Sequence, residues 1–528
     1  MHQWPVLNLA APYDYPAQLN ATSELLDSAI AEGFGARLAL IARGEDGLYH
    51  ETSYAELGAL VDSIAHVLRH DLELVPGNRV LLRGYNGLWM VAAWLATVKA
   101  GCVAVTTMPL LRAKELRIII ERAQCAASLC DIRLVDELQS AAQSSARSCA
   151  VRVWGNQSPE SIEVLRAAHT KPFIAHPTSA DDVCLIAFTS GTTGDPKGCM
   201  HFHRDVMAMC DGFSRQVLRT FGEDRCIGTP PLAFTFGLGG LLCFPLAARA
   251  TAVMLEKSTP ETLLDAIAAT RATVTFTAPT FYRQMALAMQ REPARFDTSS
   301  LRACVSAGEA LPDATRVLWR NSTGIEMLDG IGATELIHIF IAAAGHEVRA
   351  GAIGRAVPGY EIAILDESLR TVPNGTVGRL AVRGPTGCRY LSDDRQTQYV
   401  QAGWNLTGDA ASIDDEGYVY FKARTDDLII SSGHNIGAPE VESAVLTHPD
   451  VLECAVIGVP DDDRGQAVKA FVVLRAGVTA SPELAKALQD HVKATIAPYK
   501  YPRVVEFVSS LPKTDTGKLQ RFRLREEQ

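Results

Sequence analysis

Thr189-Ser190-Gly191-Thr192-Thr193-Gly194-Asp195-Pro196-Lys197-Gly198 follows directly on the apolar run Val183, Cys184, Leu185, Ile186, Ala187 and Phe188. An apolar run bounded by a glycine-rich segment predicts a buried strand that opens into a turn. The glycines let backbone N–H groups approach an anion, the hydroxyls add donors, and Lys197 adds positive charge. The segment is therefore a candidate polyphosphate cradle. It is not a Walker A loop, which needs Gly-Lys followed by Ser or Thr, because Lys197 stands between Pro196 and Gly198. An ordinary glycine-rich turn is the plain alternative, and so many hydroxyls beside a lysine make it the weaker reading.

Outward from this segment, helix and strand patterns alternate. Residues 53–70 place Leu57, Leu60, Val61, Ile64, Val67 and Leu68 at the spacing of an amphipathic helix, and 78–82 reads as a short strand. The alternation recurs over 89–105, over 263–277, and where 301–305 leads into 306–311. It predicts an α/β architecture with sheets covered by helices. Near the C-terminus the order resets: 455–458 and 468–474 read as strands, 482–496 as a helix and 503–508 as another strand, a small α+β unit. The polar run 424–427, between the strand-like 417–421 and the apolar 428–430, predicts a large domain over 1–424 and a small one over 425–528. A chain of 528 residues also exceeds the size at which one core keeps growing. No internal repeat is detectable.

Composition excludes several classes. With 47% hydrophobic and 21% charged residues the chain is globular, and a formal charge of -10 disfavours nucleic acid or an anionic membrane as a general partner. An anionic ligand must be met by local cations. The twelve cysteines are scattered, and Cys125 and Cys130 lack C-x-x-C spacing, which suits a reducing compartment. Residues 1–16 have no signal-like pattern, and the apolar stretch 238–255 is interrupted by Pro245 and Arg249. The expectation is a cytoplasmic protein without a membrane span. The sequence sets no oligomeric state and allows a homodimer.

Further motifs follow in order: Ser306-Ala307-Gly308-Glu309-Ala310-Leu311, Asp329-Gly330-Ile331-Gly332-Ala333-Thr334-Glu335, Thr407-Gly408-Asp409 with Arg424, and Leu511-Pro512-Lys513-Thr514-Asp515-Thr516-Gly517-Lys518 with Arg521. From Thr189 to Arg521 this ordered set resembles the acyl-adenylate-forming superfamily of acyl-CoA synthetases, nonribosomal adenylation domains and luciferases. The resemblance implies a large multi-sheet N-terminal adenylate-forming domain and a small mobile α+β C-terminal domain. It implies that ATP is held by Thr189, Ser190, Gly191, Thr192, Thr193, Gly194 and Lys197, that Gly308, Glu309 and Ala310 line the adenine, and that Asp329, Gly330, Ile331, Gly332 and Thr334 close over the nucleotide. The Thr334 hydroxyl suits a phosphate, and Glu335 suits Mg2+, a hard cation shared with phosphates. Asp409 and Arg424 match the positions that bind the ribose hydroxyls, one as acceptor and one as donor. Lys518 is the catalytic lysine by resemblance. A cation touching both the acid and the α-phosphate offsets their repulsion in the in-line transition state.

In such enzymes the acid first forms acyl-AMP and pyrophosphate, and a thiol then displaces AMP. The resemblance implies coenzyme A as that thiol, Asp426 as the hinge of a domain rotation between the two steps, and Ser432, Gly433 and His434 beside the pantetheine arm. Pro231-Leu232-Ala233-Phe234-Thr235-Phe236-Gly237-Leu238-Gly239 aligns with the acid pocket, where Phe234, Thr235, Phe236 and Gly237 are candidates. It lacks the Asp that would pair with the ammonium of an amino acid. Simple core packing is the other reading of its phenylalanines.

The resemblance is strongest to the benzoate branch, and within it to 2-aminobenzoate-CoA ligases, through Phe234 to Gly239, through 332–339, and through His201-Phe202-His203-Arg204-Asp205. There His338 borders the aryl pocket, and a flat aromatic acid is expected between Phe236 and a glycine-rich wall. Thr235 and His338 both remain candidates to meet a ring substituent. Ile331 and Phe234 depart from the Tyr and His common elsewhere in the superfamily. A fatty-acyl or carrier-protein ligase, and an inactive nucleotide-binding scaffold protein, are the rival readings.

Overall fold

In the computed structural model of the chain, which describes residues 3–44, 46–189, 196–431, 434–461, 464–513 and 519–526, the described residues build four sheets. A six-stranded sheet runs Ala150–Trp154, Cys125–Asp131, Arg79–Arg83, Val103–Thr107, Val183–Thr189 and Lys197–Phe202. It is parallel except for the last strand, which pairs antiparallel with Val183–Thr189 and sets Thr189 opposite Lys197. Its inner strands are apolar runs such as Val80, Leu81 and Leu82, as a sheet covered on both faces requires.

A nine-stranded sheet carries Leu38–Arg43, Thr251–Met254, Arg225–Gly228, Val274–Thr277, Ala303–Ala307 and Leu328–Gly332 as its parallel part. Ser306 lies opposite Asp329. The 306–311 and 329–335 motifs thus leave the sheet side by side at strand C-terminal ends, where open α/β sheets bind ligands. Helix Leu88–Lys99 is apolar all round and buries Met90, Val91, Trp94, Leu95 and Val98 in the largest core. Helix Tyr54–His66 begins at a capping box: Ser53 Oγ accepts from the Glu56 backbone N–H at 3.2 Å, and Glu56 accepts from the Ser53 N–H at 2.8 Å.

A third, antiparallel sheet contains Glu361–Leu365, Gly378–Arg383, Trp404–Ile413 and Val419–Arg424. Beyond it, Leu428–Ser431, His434–Gly437, Val451–Asp461, Gly465–Leu474 and Val504–Phe507 form a fourth sheet. Helices Ala438–Leu446 and Pro482–Thr495 close a separate core around Val441, Val445, Val468, Val472, Leu488 and Val492. The two-part α/β plan expected from the sequence is present. The strand expected at 455–458 is longer, Val451–Asp461, because its ends alternate with half-exposed residues that an apolar count passes over. The apolar stretch 238–255 folds back on itself: Arg249 takes a positive φ and donates to Glu32 at 2.8 Å before strand Thr251–Met254. Among the described residues no helix is long and apolar enough to cross a membrane.

Candidate active site

Antiparallel pairing of Thr189 with Lys197 brings a hydroxyl and an ammonium to one sheet end. The buried Thr189 hydroxyl has no hydrogen-bond partner among the described residues. Lys197 Nζ donates to Tyr390 Oη at 3.0 Å and lies 4.8 Å from the centre of the Tyr390 ring. The Tyr390 hydroxyl donates to Glu335 Oε1 at 2.6 Å, while Lys197 and Glu335 stay 3.9 Å apart. Glu335 is placed by the short 3-10 turn Thr334–Leu336, which buries Leu336 beside it and ends at Ile337 with φ 65°.

Asp409 and Arg424 face each other across paired strands, with Arg424 Nη1 donating to Asp409 Oδ1 and to the Thr407 carbonyl, each at 2.8 Å. Burial raises the Asp409 carboxyl above its ordinary range and the adjacent guanidinium pulls it back, while the Glu335 charge is near enough to raise it slightly. Gly408 is required between them. Its φ is 76°, and a Cβ there would lie 2.6 Å from the Arg424 guanidinium. Asp329 is pushed up to about 7 by burial, with Arg316 opposing, and it accepts from the Gly330 N–H at 3.1 Å. Gly308 turns the preceding motif at φ 90°, and Glu309 is engaged by Thr280, whose hydroxyl donates to it at 2.7 Å. Ile331 packs beside Leu336 and Phe340.

In the acid-pocket segment, Thr235–Gly237 forms one helical turn after Phe234, with Thr235 buried. His338 is buried among Phe244, Phe213 and Phe236, at ring-centre distances of 4.6, 5.5 and 5.7 Å. Burial pushes its imidazole down to about 3, against a smaller opposing pull from the Phe236 backbone, so it is neutral at physiological pH. Neither ring nitrogen makes a hydrogen bond of ordinary geometry among the described residues. The glycine-rich wall differs from expectation. A Cβ on Gly239 would lie 2.5 Å from the His338 ring and one on Gly240 would lie 2.7 Å from Phe276, so this glycine room is already taken by protein rings. Gly237 is likewise pressed against the Pro231 carbonyl, 2.2 Å from where its Cβ would stand.

Ser190, Gly191, Thr192, Thr193, Gly194, Ser432, Gly433 and Lys518, with the side chains of Asp426 and His434, lie outside the described residues. Gly332 ends strand Leu328–Gly332, and Ala310 lies three residues beyond strand Ala303–Ala307. Tyr390 was not legible in the sequence: it is 193 positions from Lys197 and 55 from Glu335, in no glycine-rich motif.

Among the described residues no three metal-ligating side chains converge. One carboxylate together with a polyphosphate is the usual donor set for magnesium in nucleotide sites, and the Glu335 carboxylate, 3.9 Å from Lys197, is an oxygen donor of that kind.

The AMP-binding enzyme model matches residues 28–390, and the AMP-binding enzyme C-terminal domain model matches 440–518. The chain belongs to the AMP-binding enzyme family. It is 35% identical over 514 residues to the benzoate–CoA ligase of Thauera aromatica, covering 97% of this chain and 96% of that one. It is 31% identical to the 4-hydroxybenzoate–CoA/benzoate–CoA ligase of Rhodopseudomonas palustris, with 96% and 94% covered. Among solved structures, the anthranilate CoA ligase AuaEII in complex with anthranoyl-AMP superimposes with a TM-score of 0.91 at 32% identity, covering 97% of this chain and 98% of that chain. With such relatives along its whole length, this member of the family is an AMP-forming acid–thiol ligase.

Proposed function

We propose that this AMP-forming ligase activates a small aromatic carboxylic acid, of the benzoate or 2-aminobenzoate type, and transfers it to coenzyme A. The observation that carries the acid class is the half-buried Phe236 ring 5.7 Å from a buried, neutral His338 whose nitrogens have no strong partner. A flat apolar acid gains contact there, and one imidazole can meet one polar substituent. The likeness to benzoate and anthranilate ligases supports the same class.

In the first step an oxygen of the acid attacks the α-phosphorus of ATP, the bond to the β-phosphate oxygen breaks, and pyrophosphate leaves. Thr189, Lys197 and the 190–194 loop hold the phosphates, Asp409 with Arg424 holds the ribose, and Asp329 with Gly308, Glu309 and Ala310 borders the base. Glu335 would hold Mg2+, which when bound offsets charge on the phosphates. Lys518 bridges the acid and the α-phosphate. In the second step the sulfur of coenzyme A attacks the acyl carbonyl, the thiol proton is lost, and AMP leaves. Domains divided at 424/425, hinged at Asp426, present Ser432, Gly433 and His434 to the thiol in this step. The twelve free thiols suit a reducing, cytoplasmic setting.

Acid-dependent exchange of labelled pyrophosphate into ATP tests the reading. Benzoate and 2-aminobenzoate should support exchange well above octanoate, and Lys518→Ala should abolish it. Exchange with octanoate alone would overturn the acid class.

A further inference from the structure

Tyr390 stands between the two charged side chains that the proposed function assigns to ATP and its metal ion. Two hydrogen bonds, from Lys197 Nζ at 3.0 Å and to Glu335 Oε1 at 2.6 Å, thread the phenol between them. The ammonium and carboxylate are consequently held at 3.9 Å, outside the roughly 2.7–2.9 Å of a direct charge-assisted hydrogen bond. The phenol is rigidly carried. Tyr390 bridges to Cys199, its backbone N–H donates to Gln396 Oε1 at 2.8 Å, and the Leu391 N–H donates to the Gly198 carbonyl at 2.8 Å. Its ring also packs edge-on against Tyr399 at 5.9 Å.

Two opposite charges in a half-buried site attract strongly. Without an inserted group, Lys197 and Glu335 would close into a direct pair, and each would be lost as a ligand for something else. We propose that Tyr390 is a positioning residue that keeps Lys197 and Glu335 apart, so that the one remains available to the polyphosphate of ATP and the other to its magnesium ion. The proposal rests on the function argued above and deepens it. Its consequence is selective: the first half-reaction uses the polyphosphate and its cation, whereas transfer from acyl-AMP to a thiol uses neither.

The test compares wild type with Tyr390→Phe, which keeps the ring and removes the hydroxyl. Calorimetric binding of ATP, with and without magnesium and with no acid present, reads the spacer directly. Transfer from synthetic benzoyl-AMP to coenzyme A, and the thermal midpoint, control for structural damage. The expected result is a loss in ATP affinity of roughly ten- to a hundredfold, the size of a broken hydrogen bond to a charged group. The rate of transfer from benzoyl-AMP should stay within about twofold. Unchanged ATP affinity overturns the proposal, and so does an equal fall in both measurements, which would mark Tyr390 as mere packing. Wild-type protein that uses benzoyl-AMP but does not bind ATP overturns the spacer while leaving the acid class standing. Wild-type protein that binds ATP but does not use benzoyl-AMP contradicts the acid reading instead, and the affinity comparison still decides the spacer.

Discussion

At the residue scale His338 combines two roles that pull against each other. Its imidazole sits among three phenylalanines and stays neutral, because burial lowers its pKa to about 3 from an ordinary 6.5. As the pH falls below 6.5, the unfolded chain takes up a proton that the folded chain refuses until about pH 3. The histidine's contribution to stability is therefore complete above 6.5 and is lost on acidification, by about 1.4 kcal/mol per pH unit within that window. Melting of wild type and His338→Leu between pH 7 and 5 should show the variant losing less stability; parallel curves would mean the imidazole is not held neutral by the fold. The same variant should discriminate substrates. A lost hydrogen bond to a ring amino group costs about 1–3 kcal/mol, so kcat/KM should fall more for 2-aminobenzoate than for benzoate, by roughly tenfold or more. An equal fall for both acids would leave Thr235 as the polar partner. His338 was visible in the sequence only through its place three residues after Glu335 in a family motif. Tyr390 had no such place, and only strand pairing with Cys199 brings it to the site.

At the scale of elements, the apolar spacing over 53–70 predicts a helix and the structure has helix Tyr54–His66 there, opened by a Ser53–Glu56 capping box that an apolar count does not contain. The glycines of the acid-pocket segment were read as a wall for the acid, whereas Gly239 and Gly240 are packed against protein rings. Which ring occupies the room beside Gly239 and Gly240 depends on Phe276, on strand Val274–Thr277, and on His338, in the bend before strand Ile339–Ala342. The hairpin of Trp404–Ile413 with Val419–Arg424 offers a cleaner test, because Gly408 serves both backbone and site. Gly408→Ala adds a left-handed strain of about 1–2 kcal/mol and presses a methyl on the Arg424 guanidinium. ATP affinity should weaken by roughly tenfold or more while the four sheets persist by circular dichroism. Unaltered affinity would remove the Asp409–Arg424 pair from the nucleotide site.

At the scale of the whole molecule, the two-part plan followed from the change of pattern around 424–427, where alternating strands and helices give way to a small α+β unit. The relation between the parts is not a property of either pattern. Arg525 pairs with Asp427 and Arg521 with Asp427 and Glu442, so the C-terminal helix Arg521–Glu526 is tied to the start of the small unit, next to the proposed hinge. Asp426→Pro should restrict that hinge. Acyl-AMP formation should survive within about threefold and thioester formation should drop by about tenfold or more, the pattern expected when one conformational step is blocked. Equal loss in both would contradict a division of labour between two domain arrangements.

The most direct measurement is mass-spectrometric detection of thioester and AMP after the purified protein is incubated with ATP, magnesium, coenzyme A and, separately, benzoate, 2-aminobenzoate, hydroxybenzoates, phenylacetate and octanoate. The predicted result is an aryl-CoA with AMP in equal amount, from benzoate or 2-aminobenzoate first among the acids. Octanoyl-CoA as the sole product, or no AMP from any acid, would contradict it.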